Sequence, residues 1–387
     1  MTPKDSPPAV PGPAPDSVRL MDISSHRRRR ELIAASIVAV GVARVLIGRL
    51  ALGEGIGPSG PSGAPHREIT PTADPPTLRP SVDPPRTRLV RWRGPVEHLF
   101  FHPLILHPRL AFRDDPLGQG FDDFFVTTRE FRAILDELWR NGWTLVDVHR
   151  AAEGRVRVPP GRKPLVLSED DVNYYGYFAG RGLASRLVVD RDGEVRAEYR
   201  DGAGRRYLTT EDVVSLVDAA VERHPDFSAH GAKGVLALTG YEGLFGEHDL
   251  SRSAARQRVR RLVDRLRATG WTLAGHTFGH IDLGASSVAT IADDTVRWKA
   301  LTRTLIGPTD VLIYPFGARP TEEGRRFLVD RGFTIHLDID VVARRVVQGD
   351  LVVMSRRHVD GLAFEHPHRL APFFSVKRVR DPARPTR

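Results

Sequence analysis

"KPLVLSEDDVNYYGYF" runs from Lys163 to Phe178. Its first half is a short apolar run of the kind that forms a buried strand, and three carboxylates follow it: Glu169, Asp170 and Asp171. Acidic side chains resist burial, so at the end of a strand they are solvated in a turn, paired with cations, or gathered around a metal. Adjacent aspartates at such a position can divide labour, one ligating a metal while the other takes a proton from water. An Asp pair is equally ordinary turn chemistry. The choice depends on what the rest of the chain brings to the same place.

Outward from this stretch, strand and helix signals alternate. Before it, "EHLFFHPLIL" (97–106) reads as a strand and "TTREFRAILDELWRNGW" (127–143) as a helix. Thr127 or Thr128 is its N-cap and Asn141-Gly142 its stop. After it, "RLVVDRDGEVRAEYRDGAGRRYLT" (186–209) reads as a hairpin turning at Asp192-Gly193, followed by a helix from Thr210 to Arg223. "KGVLALTG", "TLAGHT", "DVLIYPFG", "GFTIHLDI" and "DLVVMSRRHVDG" are further strands. Between the first two of these lies a helix with Val259, Leu262, Val263 and Leu266 on one face. Its seven arginines, Arg252 to Arg267, read as a solvated face. Repeated strand–helix units imply a parallel sheet or barrel with its chemistry at the C-terminal ends of the strands.

Two further strand ends carry suitable residues. "TLAGHTFGHIDL" places His276 and His280 at i and i+4; a helical turn there would project both imidazoles from one face, able to grip one cation. Together with an aspartate they make a three-ligand set with positions open for water and substrate. "DVLIYPFG" ends in a restricted turn, Tyr314-Pro315-Phe316-Gly317, whose backbone N–H groups can stabilise an oxyanion. A loop merely shaped by Pro315 and Gly317 is the plainer reading.

A strand ending in Asp-Asp, then His-x-x-x-His, then Tyr-Pro-Phe-Gly resembles the polysaccharide deacetylase family (carbohydrate esterase family four). Its NodB-type domain is a distorted (β/α) barrel of the α/β class. The resemblance covers roughly Val96 to Leu370, and "LFFHPLILHP", "LSEDDVNYYGYF" and "KGVLALTGYEGLFG" resemble a membrane-tethered bacterial subgroup. It implies a metal-dependent deacetylase that hydrolyses the acetamide of N-acetylated sugars in a cell-envelope polysaccharide. By position, Asp170 is then the general base, and Asp171, His276 and His280 hold a divalent metal, Zn²⁺ by preference. The Phe316 N–H donates to the oxyanion, and His358 is the catalytic acid, with His336 its rival. His102 and His107 read as structural.

The chain departs from the family pattern at Glu169 and Val172, and Ile313 stands where an arginine would partner the base. Arg319, Arg356 and Arg357 are the substitutes within reach of the motif. These departures motivate an alternative: a catalytically degenerate fold acting as a tethered carbohydrate-binding protein, or a metal hydrolase of another amide or ester. The long interval between Asp171 and His276 suggests an insertion at about 180–231, a hairpin plus helix beside the site mouth.

The N-terminal third has a different character. Residues 1–31 are Pro-rich, polar and basic, expected to be disordered and cytoplasmic. Leu32 to Leu52 follow four arginines and are long enough, at about 1.5 Å per residue, to span a bilayer as an anchor or to serve as an export signal. Arg44 costs ~2.5–3.5 kcal/mol near a helix centre unless it snorkels. Residues 53–95 are a Pro/Gly-rich linker and 371–387 a basic tail. This organisation expects a cell-membrane protein with its 96–370 domain outside the cytoplasm, or a secreted one.

The 387 residues carry a net charge of +9 and a pI near 10.2. No motif for nucleic acid accompanies that charge, so none is expected as a partner. The absence of cysteine excludes disulfides, thiolate metal sites and a cysteine nucleophile.

Overall fold

The computed structural model describes residues 88–386. Seven strands close into a parallel barrel: β1 (Glu97–Phe101), β2 (Lys163–Glu169), β3 (Gly234–Leu238), β4 (Trp271–Gly275), β5 (Val311–Ile313), β6 (Ile335–Ile339) and β7 (Leu351–His358). The spatial order is β6-β5-β4-β3-β2-β1-β7, and β7 pairs back onto β6 from Ile335↔Val352 to Ile339↔Arg356, which closes the ring. An antiparallel strand, Arg345–Gln348, lies outside β7.

Period-two alternation along these strands separates two cores. Val166, Val235, Ala237, Ala274, Ile313, Leu337 and Met354 share the cluster that fills the ring. Their neighbours Leu165, Leu167, Leu236, Leu238, Leu273 and Leu312 pack outward, against apolar faces of the surrounding helices. Those helices are α1 (Pro116–Phe124), α2 (Thr128–Arg140), α3 (Val213–Arg223), α4 (Ser253–Ala268), α5 (Val288–Thr302) and α6 (Glu322–Asp330). Each fully buried leucine contributes roughly 1.5–3 kcal/mol. In α2, Thr127 and Glu130 form a reciprocal capping box, and Asn141 ends the helix.

Several sequence expectations change. The insertion is not a hairpin but a three-stranded antiparallel sheet, because a second turn at Asp201–Gly204 brings Arg206–Thr209 onto Val195–Arg200. The segment expected as linker up to residue 95 is packed from Val90: Val90–Arg91 pairs with Arg157–Val158. Nor is the C-terminal stretch a free basic tail, since Arg384 is buried among acidic groups. In α4, Arg258 and Arg265 pair with Glu247 and Glu194, so the arginine face is partly satisfied within the molecule.

Among the described residues no helix is long and apolar enough to cross a membrane. The basic N-terminus (1–31), the apolar segment Leu32 to Leu52 and the linker as far as residue 87 lie outside the described residues.

Candidate active site

The C-terminal ends of β1, β2, β4, β5 and β7 converge on one cavity of about 110 Å³. From β2 comes Asp170, whose carboxylate is gripped by Arg356 of β7: Nη1 donates to Oδ1 at 2.6 Å and Nη2 to Oδ2 at 3.0 Å. The guanidinium also donates to Ser168 Oγ (3.1 Å), which bonds His98 Nε2 (2.9 Å), and it lies over the Phe100 ring. Burial pushes the Asp170 carboxyl up, but Arg356 and then His276 outweigh it and bring it to about 2. The cation missing at Ile313 is therefore supplied from the last strand. Of the other two arginines considered, Arg319 pairs with Asp338 and Arg357 with Glu97.

Asp171 turns the other way because its backbone is left-handed, at φ 60°. Its Oδ1 lies 3.7 Å from His280 Nε2 and 4.0 Å from His276 Nε2. The same oxygen accepts from the Tyr175 hydroxyl at 2.7 Å, and that hydroxyl also bonds Thr239 Oγ1. The two imidazoles do not project from a helical turn, as the i, i+4 spacing suggested. Residues 276–280 form a bend in which Thr277 (φ 61°) and His280 (φ 52°) are left-handed, and this bend brings the rings to 4.9 Å.

Candidate ligand atoms of Asp171, His276 and His280 all lie within 4.8 Å of one another. The donor set fits a divalent ion. His276 Nδ1–H donates to Ile313 O (2.9 Å), which fixes the tautomer and leaves Nε2 as a lone-pair donor on the Asp171 side. Burial lowers the His280 imidazole to about 4, more than Asp171 opposite can offset, so that ring is neutral at physiological pH, as ligation requires. For Asp171, burial acts upward, but His280, charged in the acid range where this carboxyl titrates, then His276 and the Tyr175 hydroxyl hold it below its usual range.

At the end of β5, Phe316 is left-handed (φ 59°, ψ 5°), and among the described residues its N–H makes no hydrogen bond. The next residue must be glycine: Gly317 has φ 67°, and a Cβ there would sit 2.8 Å from the Ile339 side chain. Of the seven non-glycine residues with positive φ among the described residues, five (Asp171, Tyr174, Thr277, His280 and Phe316) belong to these loops. Backbone strain is thus concentrated where the candidate chemistry is.

Of the histidines proposed or dismissed from sequence, the structure rearranges all three that matter. His336 is a buried core residue with both nitrogens engaged, Nδ1 by the Tyr314 hydroxyl and Nε2 by Phe333 O. His358 sits beside Phe100, ring centroids 6.2 Å apart, and is not in the cavity wall. His102, read as structural, does line the cavity. Its Nδ1–H donates to Phe124 O (2.9 Å), leaving Nε2 as the nitrogen that can carry a mobile proton. Its position directly after the last residue of β1, on the same rim as Asp170 and His276, was the available signal.

Glu169 is neither solvated, paired nor near the ligand cluster. It is buried with both carboxylate oxygens unpartnered. Burial, reinforced by Asp212 and Asp170, raises its carboxyl well above the usual range, which favours the neutral form.

Apart from Ile339 and Asp360, the rest of the wall is aromatic. Tyr175 stacks between Tyr177 and Tyr241, with centroids at 5.6 and 5.0 Å, and Phe124, Phe125 and Phe316 complete the rim.

No protein-family model matches the chain, and no curated protein matches it in sequence. Among solved structures it is similar to the Streptococcus pyogenes deacetylase PplD in complex with acetate. The identity is 14% and the TM-score 0.43, over 69% of this chain and 93% of that one. It is similar to a polysaccharide deacetylase from Bacillus cereus at 15% identity and TM-score 0.42, covering 70% and 68%. A third is IcaB from Ammonifex degensii, at 15% identity and TM-score 0.42, covering 68% and 91%.

Proposed function

We propose that the protein is a metal-dependent deacetylase acting on N-acetylated sugars of a cell-envelope polysaccharide. The observation that carries the reading is the pairing of Arg356 with Asp170 beside the Asp171, His276 and His280 cluster, in a single cavity. A buried carboxylate, ionised at neutral pH and so free to accept a proton, next to an open three-ligand set is what amide hydrolysis by water needs.

Asp171, His276 and His280 would hold the ion, and two imidazoles with one carboxylate suit Zn²⁺. Such an ion supplies Lewis acidity, polarising the acetamide carbonyl and acidifying water. Asp170 takes the proton from the attacking water, and Arg356 keeps it ionised and oriented for that purpose. The Phe316 N–H donates to the oxygen that gains charge, from a turn whose strained backbone aims it in advance. His102, rather than His358, gives a proton to the departing amine through Nε2, since a histidine can hold and release a proton near neutral pH. The aromatic wall receives the apolar face of a sugar ring, and the small cavity suits an acetyl group. The tethered, extracytoplasmic location remains part of this proposal, carried by Leu32 to Leu52.

The degenerate-binder alternative drew on the arginine absent at Ile313 and on the altered motif at Glu169 and Val172; Arg356 answers the first of these grounds. The test is acetate release from N-acetylated wall polymers by purified protein, before and after exhaustive chelation and with Zn²⁺ restored. Activity that tracks the metal supports the reading. Turnover persisting in fully chelated protein, or none with metal and several polymers, would sink it.

A further inference from the structure

The C-terminal stretch reaches back to the wall of the cavity. Arg384 is only 4% exposed, and all five of its N–H groups are used. Nε and Nη2 clasp the Glu130 carboxylate at 2.8 and 2.7 Å. Nη1 donates to both Asp122 O (2.7 Å) and Asp122 Oδ1 (2.8 Å), and Nη2 also reaches Phe125 O (2.7 Å). The two main-chain carbonyls it holds, at residues 122 and 125, flank the Phe124 carbonyl that accepts from His102 Nδ1–H. A second tail residue secures the same junction: Asp381 accepts from Thr127 Oγ1 (2.9 Å), and its N–H donates to Glu130 Oε1 (3.0 Å). Phe125 in turn lies against the His102 ring at 5.4 Å.

We propose that Arg384 is a positioning residue for His102. It fixes the end of α1, hence the Phe124 carbonyl, hence the tautomer and direction of the imidazole. A planar fork of five donors fits this task because it binds a carboxylate and two carbonyls at fixed relative angles. The catalytic part of this inference rests on the proposed role of His102; the structural part does not.

The experiment uses the full chain and the variants R384A and R384K. Three readouts are taken: the His102 Nδ1–H signal by proton–nitrogen NMR, Zn²⁺ affinity by competition with a chromophoric chelator, and acetate release. Expected for R384A are loss or broadening of the Nδ1–H signal and a kcat lower on the order of 10- to 100-fold, the scale of a misplaced catalytic group. Zn²⁺ affinity stays within about twofold, because the ligands sit on other strands. Added ethylguanidinium restores the signal and the rate together. R384K keeps a cation beside Glu130 and Asp122 but loses the fork, so it carries the test if R384A does not fold, with the same changes in smaller measure. An unchanged His102 signal in the folded variant overturns the proposal, as does a rate loss that follows Zn²⁺ loss. If the unmodified protein releases no acetate, the deacetylase reading fails, while the NMR comparison still decides whether Arg384 orients His102.

Discussion

Arg356 and Asp170 face each other across the barrel lumen as a bidentate pair, joined from strands 186 positions apart in sequence. Both are almost wholly inaccessible, and the arginine is further held by Ser168 and the face of Phe100. Such a pair serves orientation and ionisation more than stability, since desolvation offsets much of its Coulomb attraction.

Replacing Arg356 by Met leaves Asp170 buried without a cation. Burial then dominates and the Asp170 carboxyl rises, so acetate release should fall at neutral pH, and its acid limb should move to higher pH. Stability should drop by about 3–5 kcal/mol, as for other broken buried pairs. Denaturant titration and a pH–rate profile measure the two effects separately.

The hydroxyl of Tyr175 bonds the carboxylate oxygen that faces both imidazoles. Tyr175→Phe keeps the aromatic stack but releases that oxygen. Zn²⁺ affinity should weaken roughly 10- to 100-fold, the usual effect of removing an outer-shell partner. Chelator competition is the measurement, and an unchanged affinity would remove Tyr175 from the metal centre.

His102 and His358 make opposite predictions. His102→Gln should lower kcat roughly 10²- to 10⁴-fold, the usual contribution of a positioned acid. His358→Gln should change it little, because that ring is not part of the cavity wall. The reverse ranking returns the acid role to β7.

Glu169 gives a stability signature. Its folded-state carboxyl is raised above its unfolded value, so whatever stability it permits is fully present at low pH and is lost as pH rises through the folded value. Glu169→Met, similar in length and without a proton to lose, should match the parent in acid and melt at a higher temperature toward alkaline pH. Thermal unfolding from pH 4 to 9 checks the crossover.

Much of this arrangement is legible in the sequence because strand ends are. An apolar run that stops in Asp170-Asp171, another in His276, and a third in Tyr314-Pro315 announce residues on one rim, and period-two alternation separates lumen from outer face. What escaped depends on pairing distant in sequence. Choosing Arg356 over Arg319 and Arg357 requires knowing that β7 closes onto β1 and which of its residues points inward. His102 was passed over because the expected strand ran on to residue 106, whereas it ends at Phe101 and makes His102 a rim residue. The left-handed bend at 276–280 replaces a helical turn of the same spacing, so the two imidazoles meet for a different geometric reason. Glu169 is unreadable from sequence because its burial is set by the outer packing of β2, and the second cause of its raised carboxyl, Asp212, comes from the insertion.

The closing strand of the barrel has a consequence for how relatives of this chain are judged. The lumen is a ring, and any strand can present a cation to the same point across it, so the partner of the proposed base need not stay on the strand that bears the proposed oxyanion donor. Here the two duties are separated: β5 keeps the turn at Phe316 while β7 provides the guanidinium. A chain whose fifth strand ends in an aliphatic residue is therefore not thereby without a cation for that carboxylate. Its last strand has to be inspected for an inward-facing arginine two residues before the strand ends.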